Sequence, residues 1–275
     1  MRMSFILISG FLCSCAGAAA DQIDYAASNT SFGKFDLTTG VFTQISTAPF
    51  PFNDISFGPN GVLYGLANDT LFTVNPSSGA LTSIGSVPNG SESFAFLNST
   101  TVYMLTLTGG FYRVNPVTLA STFIGDLPGP TLTGIPSNIR FDPQNGVLYE
   151  TNFSTDSQLF AVNTSTAGAT LVGTTTLSDV ILGTFAKGAF YGIAKNGPDY
   201  EVVTVDPATA ATGFVAGTNF FYGFAAAPVP EPRFAVLLAV GLAGLLIRKR
   251  RNASNTSNPV RDRSVRLPPA PPRSA

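Results

Sequence analysis

The middle of the chain alternates short apolar strings with polar, turn-forming strings. Apolar strings of strand length occur at 23–27, 62–67, 101–107, 146–151 and 189–194, and a polar turn beginning with Asn or Asp follows each of them. Short runs rich in Val, Ile, Tyr and Phe, bounded by Gly, Pro, Asn and Ser, are typical of β-strands. The pattern therefore predicts an all-β domain of many short strands.

The Asn and Asp residues that begin these turns, which we call the repeat anchors, mark an internal repeat. They are Asp36, Asn75, Asn115, Asn163 and Asp206. Their spacings are 39, 40, 48 and 43 residues. A period of about 42 residues is what four short strands and their turns require, and it is typical of β-propeller blades. As a structural role, we expect each anchor side chain to cap the backbone of its turn.

The two ends of this region complement each other. Asn60-Gly61 and Asn145-Gly146 predict tight turns between consecutive strands. The first repeat, after residue 21, lacks one strand, and residues 219–226 supply one strand without a successor. Joined, they complete a fifth blade and leave no open end to the ring. We predict a five-bladed β-propeller over residues 21–227; an open β-solenoid or a β-sandwich is the alternative.

The repeats resemble the LYG and DP-x-TG repeats of exported bacterial propellers, which are similar to the YVTN and NHL types. The sequence has no Trp and no His, so the signature of WD40 blades is absent, and the aspartate box of sialidases is absent as well. The resemblance implies a fold and no activity, because propellers carry unrelated functions.

The first twenty residues are typical of an export signal. Arg2 precedes an apolar run at 4–15, and small residues at Ala18 and Ala20 predict cleavage before Asp21 by signal peptidase. Residues 1–20 are therefore predicted to be a signal peptide. Lipoprotein processing at Cys15 is the alternative.

Three features follow one another after residue 227. They are the triplet Pro230, Glu231 and Pro232, an apolar run at 234–247, and the basic cluster Arg248, Lys249, Arg250 and Arg251. The prolines separate the run from the domain, and we predict that the run is a transmembrane helix. The basic cluster would hold its far end in the cytoplasm, so the domain would lie outside.

This arrangement over residues 228–251 resembles the PEP-CTERM sorting signal of bacterial exported proteins. The resemblance implies recognition by an exosortase, a membrane-embedded protease-transpeptidase, with the Pro-Glu-Pro triplet as the sorting motif. In that family the chain normally ends soon after the basic cluster, whereas here a Pro/Arg/Ser-rich segment predicted to be disordered continues over residues 252–275. A permanent membrane anchor is the alternative reading.

Charge and composition narrow the possible chemistry. Residues 21–232 hold fifteen acidic and five basic residues, a net charge of −10 that disfavours nucleic acid as a partner. The chain has no His, and its two cysteines are Cys13 and Cys15. His-based triads, Cys nucleophiles and Cys/His zinc sites are thereby excluded from the domain, and we predict no catalytic residue, metal or cofactor.

An enzymatic alternative rests on carboxylates at the mouth of the central channel, with Ca²⁺ as a candidate cofactor. The acidic residues on predicted loops and strand ends are Asp54, Glu92, Asp126, Asp142, Glu150, Asp156, Asp179, Asp199 and Glu201. No motif selects a pair among them, and that alternative would be a secreted hydrolase or lyase. The sequence favours a non-enzymatic propeller that is sorted to the cell surface or an exopolysaccharide matrix, where it binds or scaffolds; the exopolysaccharide is a candidate partner.

Overall fold

A computed structural model describes residues 24–127, 135–186, 188–218 and 223–226. The described residues form twenty β-strands. In chain order the strands are β1 (Asp24–Ser28), β2 (Ser31–Phe35), β3 (Phe42–Thr47), β4 (Asp54–Phe57), β5 (Leu63–Ala67), β6 (Thr70–Val74), β7 (Leu81–Ser86), β8 (Ser91–Asn98), β9 (Thr101–Thr106), β10 (Gly110–Val114), β11 (Ser121–Asp126), β12 (Ile135–Phe141), β13 (Leu148–Phe153), β14 (Gln158–Val162), β15 (Ala169–Thr174), β16 (Ser178–Ala186), β17 (Ala189–Asn196), β18 (Asp199–Val205), β19 (Thr212–Thr218) and β20 (Gly223–Ala226).

These strands form five antiparallel sheets of four strands each, the blades of a five-bladed β-propeller. Blade 1 has the order β20-β1-β2-β3, and blades 2 to 5 are β4–β7, β8–β11, β12–β15 and β16–β19. The strands β20, β4, β8, β12 and β16 contact one another in a closed ring around the central axis. The predicted propeller is confirmed, and the ring excludes the solenoid and the sandwich.

Blade 1 closes the ring with strands from both ends of the domain. β20 pairs with β1 in the register Asp24↔Ala226 to Ala27↔Gly223, so one late strand completes the sheet begun by three early ones. This is the closure predicted from the sequence, in which the first repeat lacks one strand and residues 219–226 supply it. The remaining predicted residues of the late strand, 219–222, lie outside the described residues.

One apolar cluster fills each of the five interfaces between neighbouring blades. Phe32 and Phe52 join blades 1 and 2, and the other interfaces have equivalent clusters of Phe, Leu, Val and Ile. Burying an aromatic or aliphatic side chain contributes roughly 1.5–3 kcal/mol. The abundance of Phe is therefore explained by blade-to-blade packing.

The outermost strand of every blade carries a β-bulge at the same place. The extra residues, skipped in the pairing registers, are Ile45, Ile84, Ile124, Val172 and Val215. Each is half-buried and packs against the cluster of its interface. The bulge turns an apolar side chain inward from a strand whose neighbouring residues face solvent.

Two faces of the disc follow from this topology. The turns between first and second strands and between third and fourth strands lie on one face, which we call the anchor face because it carries the repeat anchors. The remaining hairpins and the connections between blades lie on the opposite face, which we call the connection face. On the anchor face, Gly61 and Gly146 adopt φ of 73° and 72° in the turns predicted from Asn-Gly.

Candidate functional site

The repeat anchors occupy one position per blade, at the start of the turn between third and fourth strands. In Asn115, Oδ1 accepts hydrogen bonds from the backbone N–H groups of Val117 at 2.9 Å and Thr118 at 3.1 Å. Asn75 makes the same pair with Ser77 and Ser78. The corresponding oxygens of the other three anchors also accept from the residue two positions later. The anchor oxygens thus satisfy the turn backbone.

The fifth residue of each anchor turn has a positive φ. These residues are Gly40, Gly79, Leu119, Ala167 and Ala210, with φ between 58° and 69°. The N–H of each donates to the carbonyl of its anchor, at 2.7–2.9 Å.

In the described part of the chain, no three Asp, Glu, Cys or His side chains are grouped so that they could hold a metal ion.

A buried ion pair crosses the centre of the ring. Arg140 on β12 of blade 4 reaches Asp54 on β4 of blade 2, with Nη2–Oδ1 at 2.5 Å and Nη1–Oδ2 at 2.8 Å. The two side chains are 6% and 0% exposed. A bidentate guanidinium–carboxylate pair of this kind has fixed geometry, and it links two blades that are not neighbours.

The innermost strands of four blades hold this pair. Ser93 on β8 donates from Oγ to Asp54 at 2.8 Å and accepts from the backbone N–H of Ile139. The Nε of Arg140 donates to the carbonyl of Gly183 on β16 at 2.6 Å. The pair therefore occupies the middle of the channel with most of its hydrogen-bonding groups satisfied by protein atoms.

One further polar side chain in this ring has an oxygen without a hydrogen-bond partner among the described residues. Asn138 on β12 occupies the position that Asp54 and Ser93 occupy in their blades, as the strand registers show. It is 2% exposed, and its Oδ1 accepts no hydrogen bond from the described residues. The inner ring is thus polar on the described strands β4, β8 and β12.

The carboxylates predicted at the channel mouth lie mainly on the connection face. Glu92, near the start of β8, accepts from the Nδ2 of Asn53 at 3.0 Å. Asp179, the second residue of β16, has a φ of 51°. The other carboxylates at this face are Asp69, Asp126, Asp156, Asp199 and Glu201. Of these, Asp69 accepts from the N–H groups of Gly90 and Ser91.

Charge is divided between the two faces. Among the described residues, the connection half of the disc carries these seven carboxylates and one basic residue, Lys195. Lys34 and Arg113 lie toward the anchor face. Asp142 lies on the anchor face, where it accepts from the N–H of Gln144. The connection face is therefore acidic.

Besides Asp54 and Asp142, the buried acidic side chains among the described residues are Asp24 and Glu150. Asp24 is 1% exposed and Glu150 is 4% exposed. Burial raises the pKa of each to about 8; for Asp24 the nearby carboxylate of Asp36 adds to the rise. The burial of these two acids and the ion pair of Arg140 were not predicted from the sequence. A comparison of equivalent positions between repeats would have found Asp24 and Glu150, because most of their equivalents are apolar.

The predicted targeting residues lie outside the described residues. They are Ala18, Ala20, Pro230, Glu231, Pro232, Arg248, Lys249, Arg250 and Arg251, together with the apolar run at 234–247. Within the described ranges, no helix is long and apolar enough to span a membrane. Cleavage, sorting and membrane insertion stay predictions from the sequence.

Comparisons with known proteins give information about the fold and identify no family. No family model matches the sequence, and no curated protein matches it either. The structure is similar to a chain of a nidogen/laminin complex, with a TM-score of 0.51 and 12% identity over 75% of this chain and 98% of the other. It is similar to TolB from Acinetobacter baumannii (0.51, 13% identity), covering 74% of this chain and 55% of TolB.

A third similar structure is an auxiliary nutrient binding protein from Bacteroides ovatus, with a TM-score of 0.52 and 14% identity. The match covers 71% of this chain and 54% of that protein, so this chain spans about half the length of both bacterial proteins. At such low identity the likeness extends to the fold alone. The protein is an all-β, five-bladed β-propeller.

Proposed function

We propose that this protein is a non-enzymatic binding or scaffolding propeller, exported and sorted to the bacterial cell surface or its exopolysaccharide matrix. The closed ring supports the first part, because a β-propeller presents loops on a rigid frame and suits binding without prescribing chemistry. The export and sorting parts rest on the sequence features at the two ends of the chain.

The Arg140–Asp54 pair is the observation that carries the binding role. Carboxylate-based hydrolysis needs two carboxyl groups facing a substrate, one of them able to exchange protons. The side chain of Asp54 is instead 0% exposed and accepts hydrogen bonds from both terminal guanidinium nitrogens of Arg140 and from Ser93. The centre of the ring thus serves to connect blades, and recognition is left to the loops of the two faces.

The negative charge of the connection face limits which charge a binding partner can carry. A surface on which the described residues supply seven carboxylates and one basic side chain, Lys195, repels polyanions at ordinary ionic strength. Carboxylates also accept hydrogen bonds from sugar hydroxyl groups. A neutral polysaccharide therefore fits this face better than an acidic one.

Binding can be tested with the exported protein and immobilised polysaccharides of different charge. We expect retention on a neutral polysaccharide, no retention on an acidic one in low salt, and weaker retention for the variant Asp126→Ala/Asp156→Ala. The matched control, Ser77→Ala/Gln144→Ala, changes two exposed residues of the anchor face and should bind as the wild type does. Retention on the acidic polysaccharide alone would contradict the proposal.

Sorting is tested separately by intact mass. We expect protein from wild-type cells to have lost residues 1–20 and the segment after the Pro230-Glu231-Pro232 triplet, because an exosortase acts near this motif in the resembling family. In cells without the exosortase the segment should remain. Retention of the full segment in both strains would show a permanent anchor, whatever the propeller binds.

A further inference from the structure

Asp24 stands at a position that the four other blades fill with apolar side chains. In the strand registers, Asp24 of β1 lies opposite Phe35. The residues that lie opposite the equivalents of Phe35 are Leu63, Val102, Leu148 and Phe190. All four are buried, at 0–1% exposed. The repeat is thus broken in blade 1 alone, by a carboxylate.

The site of Asp24 is apolar and offers no partner. Asp24 points to the same side of β1 as Ala26, which packs with Phe35, Ile193 and Val202 in the cluster between blades 1 and 5. Neither carboxyl oxygen of Asp24 has a hydrogen-bond partner among the described residues. An ionised carboxylate in such a place costs far more free energy than the neutral acid.

The site also lies where the ring closes. Asp24 is the first residue of β1 and pairs with Ala226, the last residue of β20. On the other side it faces blade 5, the last complete blade of the chain. A change of charge here acts on the one blade that is assembled from both ends of the domain.

The surrounding charged groups do not compensate for an ionised Asp24. Asp36, just after β2, is an acid whose carboxylate disfavours a second negative charge. On β17 and β18, Tyr191 lies toward the same end, whereas Lys195 and Tyr200 pair at the opposite end. Asp199 and Glu201 are acidic and also lie there. Lys34 pairs with Tyr25 on the other side of β1, and Lys187 lies outside the described residues.

We propose that Asp24 makes closure of the propeller depend on pH: the neutral acid is accommodated between blades 1 and 5, and its ionisation favours release of β1 and β20 into solvent. Opening lets the carboxyl group lose its proton to water, where the carboxylate is hydrated. The device is independent of the binding role and of the sorting signal.

The sign follows from the two states of the group. The pKa of Asp24 is about 8 in the closed ring, against 3.8 when the group is exposed. Closure is therefore unaffected by pH below about 4, weakens as the pH rises toward 8, and changes no further above that value. Within this window the opening equilibrium rises by up to about tenfold per pH unit.

Hydrogen exchange of the exported protein between pH 5 and pH 9, corrected for the intrinsic rate, tests this proposal. Ionisation of Glu150 lowers protection throughout the domain, and protection of the amides of β1 is expected to fall at least tenfold further in the wild type. Asp24→Leu, which restores the side chain found in blade 2, should remove this further fall. Asp24→Asn, uncharged at every pH and similar in size, should remove it as well.

The proposal is overturned if β1 loses as much protection in Asp24→Leu as it does in the wild type. It is overturned equally if β1 loses as much protection in Asp24→Asn as in the wild type, because ionisation of Asp24 would then not be the cause. The variant Glu150→Gln serves as a further control, because it removes the second buried acid whose pKa is raised and should leave the exchange of β1 dependent on pH.

Discussion

Replacing Arg140 with methionine is expected to destabilise the domain by about 3–5 kcal/mol, as observed when one member of a buried ion pair is removed. The change leaves Asp54, at 0% exposed, without its bidentate partner. It also removes the donor to Gly183 on blade 5. Urea unfolding monitored by far-UV circular dichroism would measure the loss.

A double replacement separates the effect of the two charges from the effect of side-chain packing. Asp54→Leu/Arg140→Met removes both charges, and replacing a buried pair by apolar groups is often neutral or stabilising. We therefore expect the double variant to be more stable than Arg140→Met alone. If the two variants are equally unstable, the loss comes from side-chain shape and the charge argument is wrong.

Glu150→Gln is expected to stabilise the domain at pH 8 by on the order of 4 kcal/mol and to have little effect at pH 4. Burial raises the pKa of Glu150 from 4.5 to about 8. The folded domain therefore holds this proton more tightly than the unfolded chain, and wild-type stability falls as the pH rises from about 4.5 toward 8. Glutamine keeps the shape of the protonated acid without its ionisation.

Thermal unfolding of the wild type and Glu150→Gln across this pH range would measure the effect. The equivalent positions in the other blades carry Ala26, Gly65, Met104 and Gly192, so the site does not otherwise require a carboxyl group. A variant of exposed Asp156, Asp156→Asn, should leave the profile unchanged. An equal gain for Glu150→Gln at pH 4 and pH 8 would show that ionisation is not its cause.

The sequence predicts the fold well, because the fold depends on periodic local signals. Turn residues such as Asn60-Gly61 act on their immediate neighbours, and the missing first strand indicates how blade 1 must be completed. A strand count and a repeat length are sufficient to reach five closed blades.

The centre of the ring could not be predicted in the same way. Arg140 and Asp54 are 86 residues apart in sequence, and their contact depends on a long side chain crossing the channel between blades that are not neighbours. No motif in the sequence distinguishes the buried acids from the exposed ones, yet Glu150 is buried in β13 and Asp156 is exposed in a loop. Spacing along one chain carries no information about which carboxylate meets a guanidinium.

The pairing of β1 with β20 also has a consequence for the synthesis of the domain. Asp24 pairs with Ala226, so a growing chain holds three strands of blade 1 that cannot find their inner neighbour until nearly the whole domain has been made. Contacts between such distant segments form slowly. The ring therefore stays open during synthesis of the domain, and it closes after β20 has been made.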